Sequence, residues 1–167
     1  MPQPTLLIDG YNLMHAIGIA RASYGPRDLE RARERLLTEL AGLLDADQRS
    51  RTVVVFDARG SGQSYRATMH RHGIRVEYPA AHFEADDRIE TLIDENTAPK
   101  SLVVVSGDRR LHRAIERRRG RAENGPAFVA RLLREQADVP IEEEKPQPGR
   151  VSDREVREWT RRIFGGE

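Results

Sequence analysis

Leu6-Leu7-Ile8-Asp9 is a short apolar run that ends in an aspartate, and the pattern recurs at Val53-Val54-Val55-Phe56-Asp57 and at Val103-Val104-Val105-Ser106-Gly107-Asp108. Short β-branched runs bounded by turn residues are typical of strands buried on both faces, as in a parallel sheet covered by helices. Ligands of open α/β sheets bind outside the carboxyl ends of the strands. We therefore expect Asp9, Asp57 and Asp108 to meet at one edge of the sheet.

Carboxylates gathered in this way repel one another. At an effective dielectric near 20, two like charges about 4 Å apart cost about 4 kcal/mol, and a divalent cation is the simplest way to neutralise them. The chain contains no cysteine, which excludes disulfides, thiolate ligands and cysteine nucleophiles. Its five histidines show no metal-ligand spacing, so we treat them as non-catalytic. Oxygen ligands remain, and they favour a metal-dependent enzyme.

The sequence between and beyond these runs alternates strands with helices. Apolar spacing predicts strands over 5–8, 52–56, 74–78 and 101–106, and helices over 28–44, 85–95 and 109–119. A further helix begins at Gly125-Pro126, residues 59–64 are expected to form a loop, and residues 65–72 a short helix. This order predicts a three-layer α/β/α sandwich with a central, mostly parallel sheet, connected by right-handed crossovers.

The domain organisation follows from length and composition. The 167 residues suit one domain, which we place at 1–138, followed by a Pro/Glu-rich linker at 139–150 and a C-terminal helix at 151–167. Ser152-Asp153-Arg154-Glu155 is a capping box for that helix. The helix, over 152–164, carries an apolar face that we expect to dock on the domain or on a partner: Val156, Trp159 and Ile163.

No apolar run approaches the length of about 20 residues that a membrane-spanning helix needs. The first residues also lack the basic and apolar regions of a signal peptide. We therefore expect a soluble, cytoplasmic protein with no membrane partner.

Asp86 and Asp87 open the helix predicted over 85–95. Acidic residues in a first turn also complement the helix dipole, so their presence alone does not indicate a site. Helical geometry places Asp86 near the edge of the buried face and points Asp87 more nearly away from it. Asp86 is thus the better candidate for the sheet edge, while Asp87 either joins it or is solvated.

Ile8-Asp9-Gly10-Tyr11-Asn12-Leu13 resembles the opening motif of NYN-domain proteins, particularly the YacP-like branch of the PIN-like nuclease superfamily. The likeness continues in order through Phe56-Asp57-Ala58, Glu84–Glu90 and Ser106–Arg109, and covers roughly residues 5–135. It implies a PIN-like fold, an acidic pocket that binds Mg²⁺ or Mn²⁺, and endoribonuclease activity. Gly107 stands where the family leads us to expect serine or another polar residue, and Asp87 stands where relatives often have glutamate.

The resemblance also implies which residues form the pocket. The candidate catalytic residues are Asp9, Asn12, Asp57, Asp86, Ser106 and Asp108. The candidate metal ligands are the four aspartates of that set together with Asp87. A metal held by carboxylates can polarise the scissile phosphate and help to deprotonate an attacking water, and a second metal could stabilise the leaving oxygen. Asn12 would donate or accept hydrogen bonds, and Ser106 is better suited to orient a neighbour than to act as a nucleophile.

RNA contacts are expected on the helix that follows Asp108. Arg109, Arg113 and Arg117 follow one another at intervals of four residues, with Arg110 beside them. A basic stripe that starts at the proposed pocket suits a phosphate backbone, although a solvated arginine face explains it equally well. Tyr11 is a further candidate, because a tyrosine ring can stack on a base. A ribosome or protein partner is left open.

Two other functions compete with a metal-dependent nuclease. A haloacid-dehalogenase-like phosphatase also carries aspartates after apolar strands, but it needs a second aspartate two residues after the nucleophile, where this chain has Tyr11. A non-catalytic RNA-binding module is harder to exclude, because metal ligands alone do not prove turnover. The presence of all four acidic residues favours activity.

Overall fold

The structure is a computed structural model that describes residues 3–25, 27–57, 68–79, 84–138 and 153–164. The strands are β1 (Leu6–Asp9), β2 (Thr52–Val55), β3 (Thr68–Arg71), β4 (Ile74–Glu77), β5 (Val103–Val105) and β6 (Arg121–Glu123). The α-helices are α1 (Gly10–Ala16), α2 (Asp28–Leu43), α3 (Ala46–Ser50), α4 (Ala85–Glu95), α5 (Arg109–Arg117), α6 (Gly125–Ala137) and α7 (Asp153–Phe164).

The strands form one sheet in the order β3-β4-β2-β1-β5-β6, and every pairing except that of β3 with β4 is parallel. The apolar runs lie in the middle of the sheet, and all four residues of β1 are buried. Their side chains alternate between two cores, because successive residues of a strand point to opposite faces. Leu6 and Ile8 pack with α1, α2, α6 and α7, whereas Leu7 packs with α4 and α5. The predicted three-layer α/β/α sandwich is confirmed.

Residues 68–71 correct one local prediction. The short helix predicted over 65–72 is wrong, because Thr68–Arg71 is strand β3, paired antiparallel with β4. The two strands are joined by His72 and Gly73, which have φ angles of 52° and 83°. Positive φ at both positions is what a two-residue hairpin turn requires. Residues 65–67 and the loop expected at 59–64 lie outside the described residues.

Four short elements were not predicted: α1, α3, β6 and a 3₁₀ helix over Pro99–Ser101, which takes Ser101 out of the strand predicted over 101–106. Each is too short to show a helical or strand period in the sequence. Helix α1 begins directly after β1, and the Asp9 side chain caps it by accepting a hydrogen bond from the backbone N–H of Asn12. This helix matters most for function, because its first turn carries Tyr11 and Asn12.

Helix α7 packs on the same core as the rest of the domain. Val156 is 8% exposed, and Trp159 lies half-buried against the core that contains α1 and α6. The expected docking is therefore found within the chain. The side chain of Ile163, the capping residue Ser152 and the linker at 139–150 lie outside what the structure describes. Across the described ranges, no helix combines the length and the apolar character needed to cross a membrane.

We expect Val156→Ala to lower the free energy of unfolding by about 1–3 kcal/mol, because it removes buried methyl groups from the contact between α7 and the core. Urea denaturation followed by Trp159 fluorescence measures the change. Arg154→Ala is the control on the same helix, since Arg154 is exposed and its ion pair among the described residues lies within the helix, with Glu158. Its cost should stay within about 0.5 kcal/mol. Equal stability of the two variants would show that α7 does not dock in solution.

Candidate active site

Four aspartates meet at the carboxyl edge of the sheet. Asp9 ends β1, Asp57 and Asp108 lie just beyond β2 and β5, and Asp86 lies in the first turn of α4. Because β1 pairs with both β2 and β5 in parallel, the first three positions are neighbours. The groups are close enough to repel one another: the charges of Asp57 and Asp108 help to raise the pKa of Asp9, and those of Asp9 and Asp108 help to raise that of Asp86.

Asp9 is the most deeply buried of the four, with 8% of its surface exposed. Burial is the main reason why its pKa is raised, because the charged form loses its hydration. Two hydrogen bonds oppose that effect. Its Oδ1 accepts from the backbone N–H of Asn12 at 3.1 Å, and its Oδ2 accepts from the Ser106 hydroxyl at 3.3 Å. Both oxygens of Asp9 are therefore occupied by the protein itself.

Ser106 and Asn12 connect the end of β5 to α1. The fully buried Ser106 hydroxyl also accepts a hydrogen bond from the backbone N–H of Asp108, at 3.1 Å. The backbone N–H of Gly107 donates to Oδ1 of Asn12 at 2.7 Å. A Cβ at position 107 would lie 3.3 Å from the Asn12 side-chain nitrogen, which is a tight contact. A side chain at position 107, where we expected a polar residue, would therefore require the Asn12 amide to shift by a few tenths of an ångström.

Asp86 and Asp108 form a hydrogen-bonded pair of carboxyl groups. The pKa of Asp86 is raised to about 7, first by burial and then by this hydrogen bond and the nearby negative charges. The pKa of Asp108 is lowered, because its carboxylate accepts from the backbone N–H of Arg110 at 2.7 Å and from Asp86. Two carboxylates that share a site in this way titrate together. The raised pKa of Asp86 and the lowered pKa of Asp108 are therefore properties of the pair, which favours one proton between the two groups.

Asp57 acts on the pair indirectly. Its Oδ1 accepts a hydrogen bond from the backbone N–H of Ala85 at 2.7 Å. Since Ala85 precedes Asp86 in the first turn of α4, this bond fixes where Asp86 lies at the end of β2.

The side chain of Asp87 forms an ion pair with Arg110. Its carboxylate lies 2.7 Å from Nη2 of Arg110, and this contact lowers its pKa. The same Arg110 nitrogen lies 2.6 Å from Glu90. Arg110 therefore links α5 to α4 through two carboxylates. The structure brings Asp86 into the carboxyl cluster and places Asp87 in an ion pair beside it.

The other predicted RNA contacts divide between α1 and α5. Arg109, Arg113 and Arg117 are exposed, and within the described parts of the chain none of them forms an ion pair. Tyr11 is half-buried, and the edge of its ring meets Phe56 at a centroid distance of 5.7 Å. Its hydroxyl accepts hydrogen bonds from Arg33, so little of Tyr11 remains open for stacking on a base.

Arg33 is a residue of the site that the sequence analysis missed. It is only 3% exposed, and its Nη2 donates to the backbone oxygen of Asp57 at 3.1 Å. Its guanidinium carbon lies 5.2–5.5 Å from the ring centres of Tyr11, Phe56 and Tyr78. The sequence held a usable signal, because position 33 falls at helical spacing with the leucines on the inner face of α2, which are the half-buried Leu29 and the buried Leu36, Leu37 and Leu40.

The side chains at the cluster offer the oxygen atoms that a hard divalent cation prefers as ligands. Too few of these side chains surround one point to bind the cation by themselves. Every donor at the cluster is a carboxyl, hydroxyl or amide oxygen, and the Asp86–Asp108 pair holds a proton where a cation would neutralise both groups. However, no group of three or more Asp, Glu or His side chains among the described residues is arranged to hold a metal ion. A cation here would use the pair and complete its coordination with water.

Comparison with known proteins shows which family the chain resembles. The model of the YacP-like NYN domain family matches residues 6–162. Two solved structures of Rae1 (YacP) from Bacillus subtilis, one of them of a point mutant, share the fold. Both are 23% identical to this chain. The mutant structure has a TM-score of 0.57, and the match covers 79% of this chain and 76% of the Rae1 chain. The other structure has a TM-score of 0.55, and the match covers 83% of this chain and 78% of the Rae1 chain. Comparison with curated proteins gave no match.

We expect the metal-free protein to lose stability as the pH rises from about 4 to 7. Asp86 titrates near 7 in the folded chain and near 3.8 when unfolded, so over that interval the folded state binds more protons. Asp86→Asn should remove much of this slope, although Asp9 contributes in the same direction. Urea denaturation in EDTA at several pH values measures it, with Asp94→Asn on the same helix as the control. A stability difference between wild type and Asp86→Asn that is constant with pH would contradict the shared proton.

Arg33→Met should lower the free energy of unfolding by about 2–4 kcal/mol, because it leaves the Tyr11 hydroxyl and the Asp57 carbonyl without their buried donor. Arg33→Lys keeps the charge but loses the planar fork, so it should cost less but remain destabilising. Thermal and urea denaturation measure both. Arg31→Met is the matched control on α2, since the Arg31 side chain is 79% exposed. If Arg33→Met were as stable as this control, the buried network would not hold the site together.

Proposed function

Because the chain belongs to the YacP-like NYN domain family, we propose that it is a divalent-metal-dependent endoribonuclease that hydrolyses RNA phosphodiester bonds at the carboxyl edge of its sheet. The observation that carries the proposal is the Asp86–Asp108 carboxyl pair beside Asp9. Three negative groups held this close favour a cation over the single proton that otherwise keeps them together.

Mg²⁺ or Mn²⁺ would be held by Asp86 and Asp108, with Asp9 behind them. When bound, the metal supplies polarisation of the scissile phosphate and a more acidic water. Asp108 is anchored for this role by the backbone N–H of Arg110. Asp86 is anchored by the bond from Ala85 to Asp57, so the two carboxylates are positioned before any ligand arrives.

The remaining pocket residues keep this geometry. Ser106 joins Asp9 to the backbone of Asp108, and Asn12 joins α1 to Gly107. In this proposal both are positioning residues. The oxygen of the Asn12 amide is held by Gly107, and its nitrogen would donate a hydrogen bond to a phosphate oxygen or a water. Asp87 supports the site from outside by holding Arg110.

RNA would reach the pocket along α5. Arg109, Arg113 and Arg117 are exposed on a helix that starts at Asp108, and cations so placed supply non-specific affinity for phosphates. Arg110 contributes less, because Asp87 and Glu90 already neutralise it. An enzyme with this substrate would act in the cytoplasm.

A non-catalytic RNA-binding module is the second candidate, and one observation favours it. The oxygens of Asp9 and one oxygen of Asp57 are occupied by hydrogen bonds within the protein, and a ready three-ligand metal group is not found among the residues described. A protein that keeps these acids only to hold its fold would bind RNA without cleaving it.

Asp108→Asn should abolish metal-dependent cleavage of a labelled single-stranded RNA while leaving affinity unchanged or slightly higher, because a charge that repels phosphates is removed. Replacing Arg109, Arg113 and Arg117 with alanine should do the reverse: affinity falls and its salt dependence flattens, while cleavage by saturating enzyme largely survives. Gel analysis of cleavage with Mg²⁺, Mn²⁺ or EDTA, and fluorescence anisotropy at several salt concentrations, measure the two effects.

The matched control replaces three exposed arginines elsewhere: Arg121, Arg134 and Arg157. This control triple removes the same charge as the α5 triple. It should lower affinity less than the α5 triple does and lower cleavage less than Asp108→Asn does. Mn²⁺ should also raise the melting temperature of the wild type more than that of Asp108→Asn, a readout that needs no activity. Cleavage that persists in Asp108→Asn would refute the proposed mechanism, and wild type that binds RNA but never cuts it would support the second candidate.

A further inference from the structure

A groove with a volume of about 530 Å³ lies between α2 and the β3–β4 hairpin. Its size falls within the range of about 300–1,000 Å³ that is common for ligand sites. Apolar side chains line its floor: the half-buried Met69 offers the open apolar surface, and Leu37 and Tyr78 beneath it are nearly fully buried. We call it the α2 groove.

The rim of the α2 groove is basic. Arg27, Arg31 and Arg71 line it and are exposed, and the buried Arg33 forms part of its inner wall. Two acids, Glu30 and Glu34, also line it, and Glu34 lies 2.6 Å from His72. With four arginines and two glutamates, the groove carries a net positive charge.

The inner end of the groove adjoins the acidic cluster. Tyr78 follows β4 and Asp57 follows β2, and these two strands are parallel neighbours. The ring of Tyr78 stacks on Phe56 with centroids 5.9 Å apart. Arg33 spans the same gap, because its guanidinium carbon lies 5.2 Å from the Tyr78 ring centre while its Nη2 donates to the Asp57 backbone oxygen.

We propose that the α2 groove holds a single-stranded segment of RNA on the side of the cleaved bond opposite α5. This inference rests on the proposed function. The strand order β4-β2-β1-β5 puts the groove at one flank of the aspartates and the arginines of α5 at the other, while α2 and α5 cover opposite faces of the sheet. One RNA strand that passes over the carboxyl edge can therefore cross the cluster and meet cations on both sides. A basic rim around an apolar floor matches how proteins bind unpaired strands, with phosphates on cations and bases on apolar surface. A duplex keeps its bases stacked inside and cannot use the floor.

Arg27 is the residue that precedes α2, and its φ of 69° lies in the left-handed region that glycine adopts most easily. Its carbonyl accepts a hydrogen bond from the backbone N–H of Arg31 at 3.1 Å, whereas its exposed side chain makes no capping hydrogen bond to α2. The start of the helix therefore does not need the guanidinium group, so Arg27→Gly removes a charge from the rim without removing a contact that holds the fold.

The test measures affinity for a labelled single-stranded oligoribonucleotide of about 12 nucleotides in the Asp108→Asn background, so that the RNA stays intact. Adding Arg27→Gly, Arg31→Ala and Arg71→Ala should weaken binding about tenfold or more, and should flatten the slope of log K against log salt by about 2, since each lost phosphate contact removes about 0.7. Duplex RNA of the same length should lose no more affinity than it loses with the control triple. Arg27→Gly alone should weaken binding without lowering the melting temperature.

The outcomes separate this inference from the proposed function. If the groove variant and the control triple weaken single-stranded RNA equally, or if duplex RNA is weakened just as much, the groove is not an RNA site, while the pocket and α5 still stand. If the Asp108→Asn protein binds no RNA at all, the proposed function fails and the groove assignment falls with it.

Discussion

The repulsion among carboxylates at the carboxyl edge of the sheet is the constraint on which the rest of the site depends. The parallel pairing of β1 with β2 and β5 brings Asp9, Asp57 and Asp108 together, and α4 adds Asp86. Each group is stabilised in a different way: hydrogen bonds from Asn12 and Ser106 hold Asp9, and a shared proton holds Asp86 against Asp108. The loops around the cluster are built to supply these donors, so the site and the loops that follow β1 and β5 form one structure.

The aspartates consequently divide into two kinds. Asp9 and Asp57 point into the protein and spend their oxygens on backbone and hydroxyl donors that fix the starts of α1 and α4. Asp86 and Asp108 are less buried than Asp9 and contact each other, and the positive charges of Arg110 and His112, with the backbone N–H of Arg110, offset part of their charge. The Asp86–Asp108 pair is thus where a cation would bind most favourably. Asp9 and Asp57 determine the position of that pair. Their loss would disturb the site as severely as the loss of a direct ligand, although for a structural reason.

The sequence predicted those parts of the fold whose signal is local. Long apolar runs identified the central strands, and the end of each run located three of the four aspartates. The hairpin at β3 could not be recognised, because its strand character comes from pairing with β4 and not from its own residues. The buried role of Arg33 and the ion pairs of Arg110 depend on side chains from other elements, Tyr11 and Asp57 for the first and Asp87 and Glu90 for the second. A prediction from residue types alone cannot tell which arginines are buried, which are paired with acids and which are exposed.

The arginines differ in their surroundings, and this explains how a chain with a net charge of only +1 can have separate surfaces for anions and cations. Arg33 is buried among aromatic rings, and Arg110 is neutralised by two acids. Both stabilise the cluster and leave little charge for a ligand. The exposed arginines of α5 and of the α2 groove flank the cluster on both sides, and within the described residues only Arg31 among them has an ion pair, with Asp28 at 3.9 Å. Helix α5 anchors Asp108 through the backbone N–H of Arg110, but the side chains of Arg109, Arg113 and Arg117 take no part in that bond. Affinity for a polyanion and the chemistry of the pair can therefore be altered separately by changing side chains, and that separation is what distinguishes a nuclease from a protein that only binds RNA.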